Sequence, residues 1–557
     1  MKNTLLHCNP ARRYVLAGLL SAAALLGLVM NGIAQASGTL DQTFNSTGYV
    51  WNGLTWDDYG HAVTVSSNGI IYTAGYTENS QFTQAYVSSY LANGAPNTNF
   101  NGNGKKTFHF GNGNFSRAYG LCVQNDGKLL VVGEHAQDDN NSSTRSIGIA
   151  RLNPDGTFDQ DFSLDGQLTV SILNDPNVHS RGRKVIVDSS QMIYVLGTQG
   201  ALNLAGVKLF PDGELDPSFG MGGTLLWYDS IHFDAYVVGA LDIVFQPDGK
   251  FIILGWELCG EIGCSSSYYW LGRKFANGYP DGSFGSGNPP HNSFLVGETD
   301  ELNMGPGGLA LQSDGKPIVA GRTKGANGKS LGFVSRLLNN GAIDSTFGTA
   351  GKVFISAPGN GDLLFTDIQI QSDDKILCIG STSGTNNGSD GIYIQRLLSN
   401  GATDPSFSFN GNVIVDLPTA ESIGGVGMAL QSDEKILVCG TADRGTQLGD
   451  DSYVIRVHPG PNSVGTQEIT EPYARVSVFP NPAVEECSVR FVLSEPAKLT
   501  MQLLDFQGRE LSTFFVSKGF PAGEQQLSVT LPEDLSAGSY LLVLSSPKGR
   551  MSVQVSK

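Results

Sequence analysis

Charged residues are scarce in this chain of 557 residues, at 16% of the total, and cysteine, methionine and tryptophan number only 7, 8 and 5. So little Glu, Lys and Arg excludes a coiled coil, and so few cysteines exclude a scaffold built on disulfides. Positive charge is also deficient, with 35 Lys and Arg against 52 Asp and Glu, which argues against nucleic acid as a partner. Beyond residue 36 no apolar run approaches the ~20 residues of a membrane-spanning helix. We therefore expect no transmembrane segment in the mature chain.

The abundant residues indicate a turn-rich β protein. The chain contains 71 glycines, 28 phenylalanines and 18 tyrosines, and 40% of its residues are hydrophobic. That hydrophobic fraction excludes a disordered chain, and the glycines favour tight turns between short strands.

The amino-terminal segment has the pattern of a cleaved secretory signal peptide. Lys2, Arg12 and Arg13 precede an apolar run over residues 15–30, and Ala34-Gln35-Ala36 follows as a small-residue cleavage site. The run is shorter than the ~20 residues that span a bilayer, which argues against a membrane anchor. We therefore expect residues 1–36 to be removed and the remainder to be exported.

The cysteines of the mature chain leave one pairing open. Cys259 and Cys264 are close enough in sequence for a local disulfide, but two free thiols fit equally well, because spacing does not determine the Cβ geometry that a bridge needs. Cys378 and Cys439 lie inside apolar runs, and we expect both to be small core residues.

A turn motif, Gly-x-x-Asp-x-x-Phe, recurs along the chain with its phenylalanines 56 to 65 residues apart. The copies are Gly38/Asp41/Phe44, Gly94/Asn97/Phe100, Gly156/Asp159/Phe162, Gly213/Asp216/Phe219, Gly278/Asp281/Phe284, Gly341/Asp344/Phe347 and Gly401/Asp404/Phe407. The aspartates could together bind cations, but an Asp that begins a turn usually accepts hydrogen bonds from the amides just ahead of it. Asn97 can make the same turn without charge, so the structural role is favoured.

Each interval between these turns also contains a β-hairpin signal. Two apolar runs are joined by a tight turn, such as Asn68-Gly69, and the second run ends in a glycine. One copy is degenerate, with Ser190-Gln191 at the turn. A third short apolar run precedes the Phe turn and a fourth follows it, so each unit predicts four antiparallel strands. The closing glycines are Gly75, Gly133, Gly197, Gly255, Gly321, Gly380 and Gly440.

Four-stranded antiparallel units in tandem are typical of the blades of a β-propeller. Such a sheet cannot cover both of its apolar faces alone, so blades stack face to face. A linear solenoid is the alternative, but its coils are usually shorter and parallel. The repeats begin with a fourth strand, at residues 48–54, and end with the first three strands of a unit. We therefore predict a seven-bladed propeller over residues 37–458 whose amino-terminal strand completes the last blade.

Two motifs in fixed order carry a resemblance to a known family. A hairpin of the type Leu311-Gln-Ser-Asp-Gly-Lys316 is followed by a turn of the type Arg336-Leu-Leu-Asn-Asn-Gly-Ala-Ile-Asp-Ser-Thr-Phe-Gly348. The combination resembles the bacterial delta-60 repeat family over residues 38–458. The resemblance implies a propeller without an assigned biochemical role and brings no catalytic residues.

The last 85 residues differ from the repeats in composition and pattern. A Pro/Gly/Ser-rich stretch over residues 459–472 reads as a linker, and residues 473–557 then contain 8 Lys and Arg against 8 Asp and Glu, whereas residues 37–472 contain 24 against 44. Short alternating runs at residues 476–479, 487–493, 498–505, 526–530 and 539–544 predict a small immunoglobulin-like β-sandwich.

Distinctive residues in this sandwich carry a second resemblance. Three features carry it: Pro480-Asn481-Pro482 near the start of the sandwich, Gly538 and Tyr540 at the start of its last predicted strand, and the terminal Lys557. Together they resemble the carboxy-terminal sorting domain of the type IX (Por) secretion system of Bacteroidota. An ordinary accessory module is the alternative. The resemblance implies that the type IX machinery is a partner and that the protein reaches the medium or the outer-membrane surface through the periplasm.

Motifs of the common enzyme classes are absent: we find no His-Glu-x-x-His, no Gly-x-Ser-x-Gly and no P-loop. We expect no cofactor and no metal. The most distinctive variable connection runs from Trp256 to Trp270 and includes Tyr268 and Tyr269. These aromatic residues could contact a ligand by stacking on sugar rings, or they could pack between blades, as aromatic residues in sheets mostly do.

The sequence therefore favours a non-catalytic binding or adhesion module at the cell surface, with an extracellular glycan or protein as ligand. The alternative is a secreted polysaccharide hydrolase or lyase with its active site at the mouth of the propeller channel. Absent motifs do not exclude that alternative, because a glycosidase needs only two carboxylates that sequence cannot pair.

Overall fold

The computed structural model describes residues 37–54, 56–137, 145–172, 179–200, 203–227, 235–259, 267–285, 292–294, 307–384, 391–446, 448–460, 473–479, 486–493, 496–504, 509–532, 535–536, 538–546 and 549–557. The expected signal peptide, most of the expected linker, Cys264 and Pro480-Asn481-Pro482 lie outside these residues. Within them the chain is all-β, as predicted, apart from one-turn helices at Pro358–Asn360 and Ser408–Gly411. No helix in the described ranges is both long and apolar enough to cross a bilayer.

The strands up to residue 457 form antiparallel groups of four, which we number as sheets 1 to 7. The first strand of the chain, β1 (Tyr49–Trp51), belongs to sheet 7. Sheet 1 contains β2 (Asp57–Val65), β3 (Ile71–Glu78), β4 (Thr83–Tyr90) and β5 (Lys105–Phe108); sheet 2 contains β6 (Phe115–Val123), β7 (Leu129–Ala136), β8 (Ser146–Leu152) and β9 (Gln167–Val170); sheet 3 contains β10 (Ser180–Val187), β11 (Ile193–Gln199), β12 (Asn203–Leu209) and β13 (Thr224–Trp227).

The remaining groups repeat this order. Sheet 4 contains β14 (Ala235–Phe245), β15 (Phe251–Cys259), β16 (Ser267–Lys274) and β17 (Asn292–Phe294); sheet 5 contains β18 (Gly308–Leu311), β19 (Pro317–Lys324), β20 (Ser330–Arg336) and β21 (Lys352–Ile355); sheet 6 contains β22 (Asp362–Ile370), β23 (Ile376–Ser383), β24 (Gly391–Leu397) and β25 (Asn412–Val415); sheet 7 contains β26 (Ser422–Leu430), β27 (Ile436–Asp443), β28 (Asp450–Val457) and β1. A single parallel bridge, Thr83 to Phe115, joins sheets 1 and 2.

The apolar cores lie between consecutive sheets, because each sheet is covered on both faces. The second strand of sheet 2 is buried along its whole length, and the core that it shares with sheet 3 includes Leu130, Val132 and Val195. Cys378 and Cys439 are buried, which confirms the expectation that they are core residues. Among the described residues no sheet closes on itself.

Glycine recurs at the end of the second strand for a steric reason. In sheets 1, 2, 3, 4, 6 and 7 the first strand has a β-bulge opposite this glycine. A Cβ atom on Gly75 would lie 1.8 Å from the carbonyl oxygen of Tyr59, and one on Gly133 equally close to that of Arg117. Only glycine permits this approach, so the repeated glycine allows a bulge that adds one residue to the first strand.

The degenerate repeat keeps the same hairpin turn. In sheets 1, 2, 4 and 5 the turn has a glycine with a positive φ, such as 84° at Gly127, and in sheets 6 and 7 Asp374 and Glu434 take this position with φ 62° and 63°. In sheet 3 this position is taken by Gln191, with φ 63°, and its amide donates to the carbonyl of Asp188 as the glycine amide does to Gln124 elsewhere. Sheet 3 therefore forms despite the missing Asp-Gly, although a non-glycine residue is strained at this position.

The first strands of consecutive sheets contact one another in chain order, from β2 to β26, and β26 in turn contacts β2. The two ends of the repeat region meet in sheet 7, where β1 pairs with β28 through Tyr49 to Ile455, Val50 to Val454 and Trp51 to Tyr453. One core, which includes Phe44, Ile71 and Leu437, is built from residues close to both ends of the repeat region.

The carboxy-terminal residues form two further sheets. One contains β29 (Tyr473–Phe479), β30 (Glu486–Leu493) and β33 (Gly523–Thr530); the other contains β31 (Ala497–Leu504), β32 (Glu510–Phe520), β34 (Ser539–Ser546) and β35 (Gly549–Ser556). In the described part of the chain these strands pair only with one another, and they share a core that includes Val489, Met501 and Leu542. The five predicted strands are present, and β32 and β35 are additional.

Candidate functional site

The repeated aspartate of the Phe turn has a structural role. In each copy one carboxylate oxygen accepts a hydrogen bond from the amide two residues ahead, as in Asp344, which accepts from the Thr346 amide at 3.1 Å and its hydroxyl at 2.6 Å. The sequence-based expectation of an Asx turn is thereby confirmed. The same contact occurs at Asp41, Asp159, Asp216, Asp281 and Asp404, and at Asn97 through its side-chain oxygen.

The second oxygen of this aspartate binds a cation on the third strand. Arg336 places its Nε 2.9 Å from Asp344 Oδ2, lies over the Phe347 ring, and donates from Nη1 to the carbonyl of Ser399 in the next sheet at 2.7 Å. We call this arrangement the inter-sheet clasp. Equivalent pairs are Arg151/Asp159, Lys208/Asp216, Arg273/Asp281, Arg396/Asp404 and Arg456/Asp41.

Sheet 1 lacks the charges of the clasp at both positions. Ser89 occupies the place of the cation, and its hydroxyl accepts from the side-chain amide of Asn97 at 3.0 Å. The carboxylate and the cation are thus replaced together by a neutral hydrogen-bonded pair. This joint replacement supports a packing function and argues against a ring of cation-binding aspartates.

The face of the repeat region opposite the Phe turns is formed by the starts of the first strands and the ends of the second strands. It contains a group of charged side chains that the sequence analysis did not identify. The cationic cluster, as we name it, consists of Arg117 on β6, Arg145 just before β8, Arg181 and Arg183 on β10, and the carboxylates Glu78 on β3 and Glu134 on β7.

Glu134 is the centre of this cluster and is fully buried. It accepts hydrogen bonds from the Tyr119 hydroxyl at 2.7 Å and from Arg145 Nη1 at 3.1 Å. His179 Nε2 lies 2.9 Å and Arg181 Nε 3.5 Å from its other oxygen. Burial would raise the pKa of Glu134, but these four contacts outweigh it and lower the pKa to about 2. Glu134 is therefore ionised at neutral pH and cannot serve as a general acid.

Aromatic rings surround the cluster. The β-bulges of sheets 1, 2 and 3 add His61, Tyr119 and Arg183, respectively, and these three residues meet: the His61 ring lies 5.0 Å from the Tyr119 ring, and the Arg183 guanidinium lies 5.7 Å from it. The Tyr76 ring stacks on Tyr59 at 4.7 Å. Burial, reinforced by nearby arginines, lowers the pKa of His61 to about 4, so its imidazole is neutral at physiological pH.

Arg117 and Arg183 differ in how their charges are compensated. Arg117 donates to Glu78 at 2.9 Å and lies over the Tyr76 ring. Arg183 is exposed, and no salt bridge among the described residues involves it. Although the residue is exposed, protein groups around the guanidinium partly desolvate it, and this desolvation together with repulsion from Arg181 lowers the pKa of Arg183. An unpaired guanidinium beside another cation is unfavourable unless an anion approaches it.

Below the cluster, first strands of four sheets line a cavity of about 310 Å³. Lys184 extends towards it and places its Nζ 3.0 Å from Asp242 Oδ1. Asp242 also accepts from the amides of Ile243 and Leu309, and Asp367 accepts from those of Ile368 and Met428. These carboxylates connect neighbouring first strands. No group of three His, Cys, Asp or Glu side chains in the described ranges is arranged to hold a metal ion.

The aromatic residues selected from sequence are strand residues. Tyr269 is fully buried, and its hydroxyl accepts from the Arg322 amide at 3.1 Å. Trp270 is 3% exposed, and Trp256 packs against the core between sheets 4 and 5. Packing between sheets, the alternative considered above, therefore describes these three residues. The side chain of Tyr268, which lies opposite Glu257 on β15, is outside the described residues, as is that of Cys259. The pairing of Cys259 with Cys264 stays open.

Three of the residues that resemble a sorting motif are described. Gly538 and Lys557 exchange backbone hydrogen bonds of 2.9 Å in both directions, so the last residue of the chain continues the pairing of β34 with β35. The Lys557 ammonium donates to the carbonyl of Pro532 at 2.7 Å, and the Tyr540 hydroxyl donates to that of Ser536 at the same distance. These residues therefore hold one end of the second carboxy-terminal sheet together.

Comparison with known families agrees with this architecture. Residues 124–162, 312–347 and 371–407 match the model of a family described as a β-propeller domain of unknown function, DUF5122. The chain is a propeller repeat protein. No curated protein matches it.

Solved structures with similar folds include proteins of different activities. Among them are the polysaccharide lyase Uly1 (10% identity, TM-score 0.44, 77% of this chain and 98% of the other) and the propeller domain of the Trilobed protease from Pyrococcus furiosus, which has an open velcro topology (10%, 0.38, 72% and 94%). A third is the alpha-L-arabinanase of Penicillium chrysogenum (10%, 0.38, 60% and 92%). At these values the similarities carry no information about the activity of the repeat protein.

Proposed function

We propose that this protein is an exported, non-catalytic binding module of the cell surface, in which a propeller domain over residues 37–458 binds a glycan or protein ligand at the cationic cluster. The observation that carries the proposal is the convergence of three neighbouring sheets on one group of arginines and aromatic rings. Binding residues are commonly placed on one face of a rigid scaffold, and here the bulges of three repeats supply them.

The propeller in this proposal has seven blades and is closed by the amino-terminal strand. Three observations support closure: the pairing of β1 with β28, the contact of β26 with β2, and the clasp between Arg456 and Asp41. In the other clasps the cation and the aspartate are eight residues apart, whereas in this one the two residues come from opposite ends of the repeats. Sheet 7 is then the blade shared by both ends.

Export in this proposal depends on residues 473–557. The resemblance of this segment to a type IX sorting domain supports the assignment, as does the pairing of its strands with one another. The expected route is removal of residues 1–36, passage through the periplasm, and recognition by the type IX machinery at the outer membrane.

We expect deletion of residues 473–557 to leave a folded propeller in the periplasm of a host that has the type IX system. Cell fractionation and surface protease digestion would measure its location. As the control, residues 459–557 joined to a periplasmic passenger protein should carry that passenger to the surface. Surface delivery of the truncated protein would overturn the sorting assignment.

The alternative function is polysaccharide hydrolysis or elimination at the same face. Hydrolysis by a carboxylate pair requires one carboxyl group with a raised pKa as the acid, whereas the pKa of Glu134 is lowered to about 2. This difference argues against Glu134 as the acid of a hydrolase. Among the described residues, the carboxyl groups whose pKa burial raises, Asp58 (to about 7) and Asp367 (to about 6), lie in the interior and do not belong to the cluster.

The mature chain should bind members of a glycan and protein array without converting them. Array binding, followed by chromatography of the bound glycans after prolonged incubation, measures both properties. Turnover of a bound glycan would show that the protein is an enzyme, as in the alternative function, and not a non-catalytic binding module. Absence of any specific binding would overturn the proposed function.

A further inference from the structure

We infer that the cationic cluster recognises the carboxylate or sulfate groups of an acidic saccharide, with Arg183 as the residue that contacts the anion. This inference rests on the proposed function and specifies the class of ligand for the same site.

The first argument is the sign of the local charge. Residues 37–472 contain 24 Lys and Arg against 44 Asp and Glu, yet the cluster combines four arginines with two carboxylates. The net positive charge of the cluster therefore contrasts with the net negative charge of residues 37–472 as a whole. Such a site attracts anions locally although the chain as a whole is acidic, so an anionic ligand is expected to bind at the cluster and not elsewhere on these residues.

The second argument is the assignment of each arginine. Glu78 compensates Arg117, and Glu134 compensates Arg145 and Arg181 at distances of 3.1 and 3.5 Å. Arg183 is left as the exposed cation without a salt bridge among the described residues. An external carboxylate or sulfate would complete the pairing, and arginine binds both groups through two parallel N–H bonds.

The third argument concerns the surroundings of Arg183. The His61 ring contacts the same Tyr119 ring over which the Arg183 guanidinium lies. Trp56, 40% exposed, lies just before β2 on the same face and packs edge-on against Phe82. An exposed indole and half-buried tyrosine rings on this face suit a sugar better than an acidic peptide, because a sugar offers apolar C–H faces and hydroxyls together.

The test uses the full mature chain and matched pairs of polymers. The probes are polygalacturonate with its methyl-esterified form, dextran sulfate with dextran, and polyglutamate as the acidic peptide. Affinity is measured by isothermal titration calorimetry at two salt concentrations. We expect binding to at least one acidic polysaccharide, weaker binding at higher salt, and none to its neutral counterpart.

The matched variants are Arg183→Gln in the cluster and Arg490→Gln on the exposed face of β30. Loss of a charge-assisted hydrogen bond should weaken binding about tenfold or more in Arg183→Gln and should leave Arg490→Gln unchanged. Thermal melts should show both variants folded, because Arg183 takes part in no salt bridge within the described residues.

Each other outcome has a distinct meaning. Equal binding of the neutral and acidic polymers, or an unaffected Arg183→Gln variant, would overturn the inference while leaving a glycan-binding function in place. Tighter binding to polyglutamate than to the polysaccharides would replace the saccharide with an acidic peptide. Absence of binding to every probe here and on the array would overturn the proposed function itself.

Discussion

Deletion of residues 38–54 should abolish the cooperative thermal unfolding of the propeller domain or cause it to precipitate. The deletion removes β1, so the edge of β28 loses its partner strand, and it removes Phe44 from the core shared by sheets 7 and 1. It also leaves the buried Arg456 without Asp41. An uncovered sheet edge promotes aggregation, and a buried cation without its partner is strongly destabilising.

Differential scanning calorimetry with light scattering measures this effect. The control is deletion of residues 461–472, which retains Pro459, whose carbonyl accepts hydrogen bonds from Arg396 and Ser37. We expect the control to melt at the temperature of the intact protein. Identical melts for the two deletions would show that the shared blade, and with it the seven-bladed closure, is wrong.

Replacement of Arg336 by Met should destabilise the propeller domain by about 2–3 kcal/mol, because it removes the charge-assisted hydrogen bonds of Arg336 while Lys316 Nζ stays 3.4 Å from Asp344 Oδ2 as a second cation. Arg336 and Asp344 are only 8% and 3% exposed, and the lost hydrogen bonds include the one to Ser399. The double variant Arg336→Ser/Asp344→Asn reproduces the neutral pair of Ser89 and Asn97 and should recover part of the loss. Urea denaturation at neutral pH measures both; a double variant no more stable than the single one would contradict the role of the clasp.

The clasp also predicts acid sensitivity. Hydrogen bonds from Thr346 and the charge of Arg336 outweigh burial and lower the pKa of Asp344 to about 2, below the ~3.9 of an unfolded chain. Because the folded pKa is the lower one, the ionised carboxylate contributes stability above pH ~4, and this contribution is lost as the pH falls towards 2. Denaturation curves between these pH values should show a steeper decline for the wild type than for Arg336→Ser/Asp344→Asn. An equal decline of stability with pH in the two proteins would show that the clasp does not cause the acid sensitivity.

The repeats could be read from the sequence because each repeated residue has a local task. The Asx turn at Asp344 and the hairpin turn at Gly127 depend only on neighbouring residues, so their spacing marks strands correctly. In the carboxy-terminal sheets β32 was missed for the complementary reason: it is largely exposed and so lacks the apolar alternation on which strand prediction rests. The strand β35 does alternate, through Met551, Val553 and Val555, and was nevertheless omitted from the predicted strands.

The residues of the candidate site could not be predicted from local sequence patterns. Tyr269 and Trp270 were candidate ligand contacts because they end a connection that varies between repeats, yet both are buried between sheets. The residues that meet at the cationic cluster come from β3, β6, β7 and β10, and Glu134 and His179 are 45 positions apart. A local signal was nevertheless present: His179, Arg181 and Arg183 alternate in a chain short of positive charge, and alternation places side chains on one face of a strand.

The amino-acid sequence alone determined the period, the four strands of each unit and the change of composition before the carboxy-terminal sheets, because turns and alternating strands are encoded by residues close together in the chain. Only the tertiary structure decided which sheets are neighbours, that Arg456 pairs with Asp41, and that Arg183 is the arginine of the cationic cluster with no salt bridge among the described residues. These are distances between residues far apart in sequence, and they depend on how successive sheets pack rather than on any local pattern.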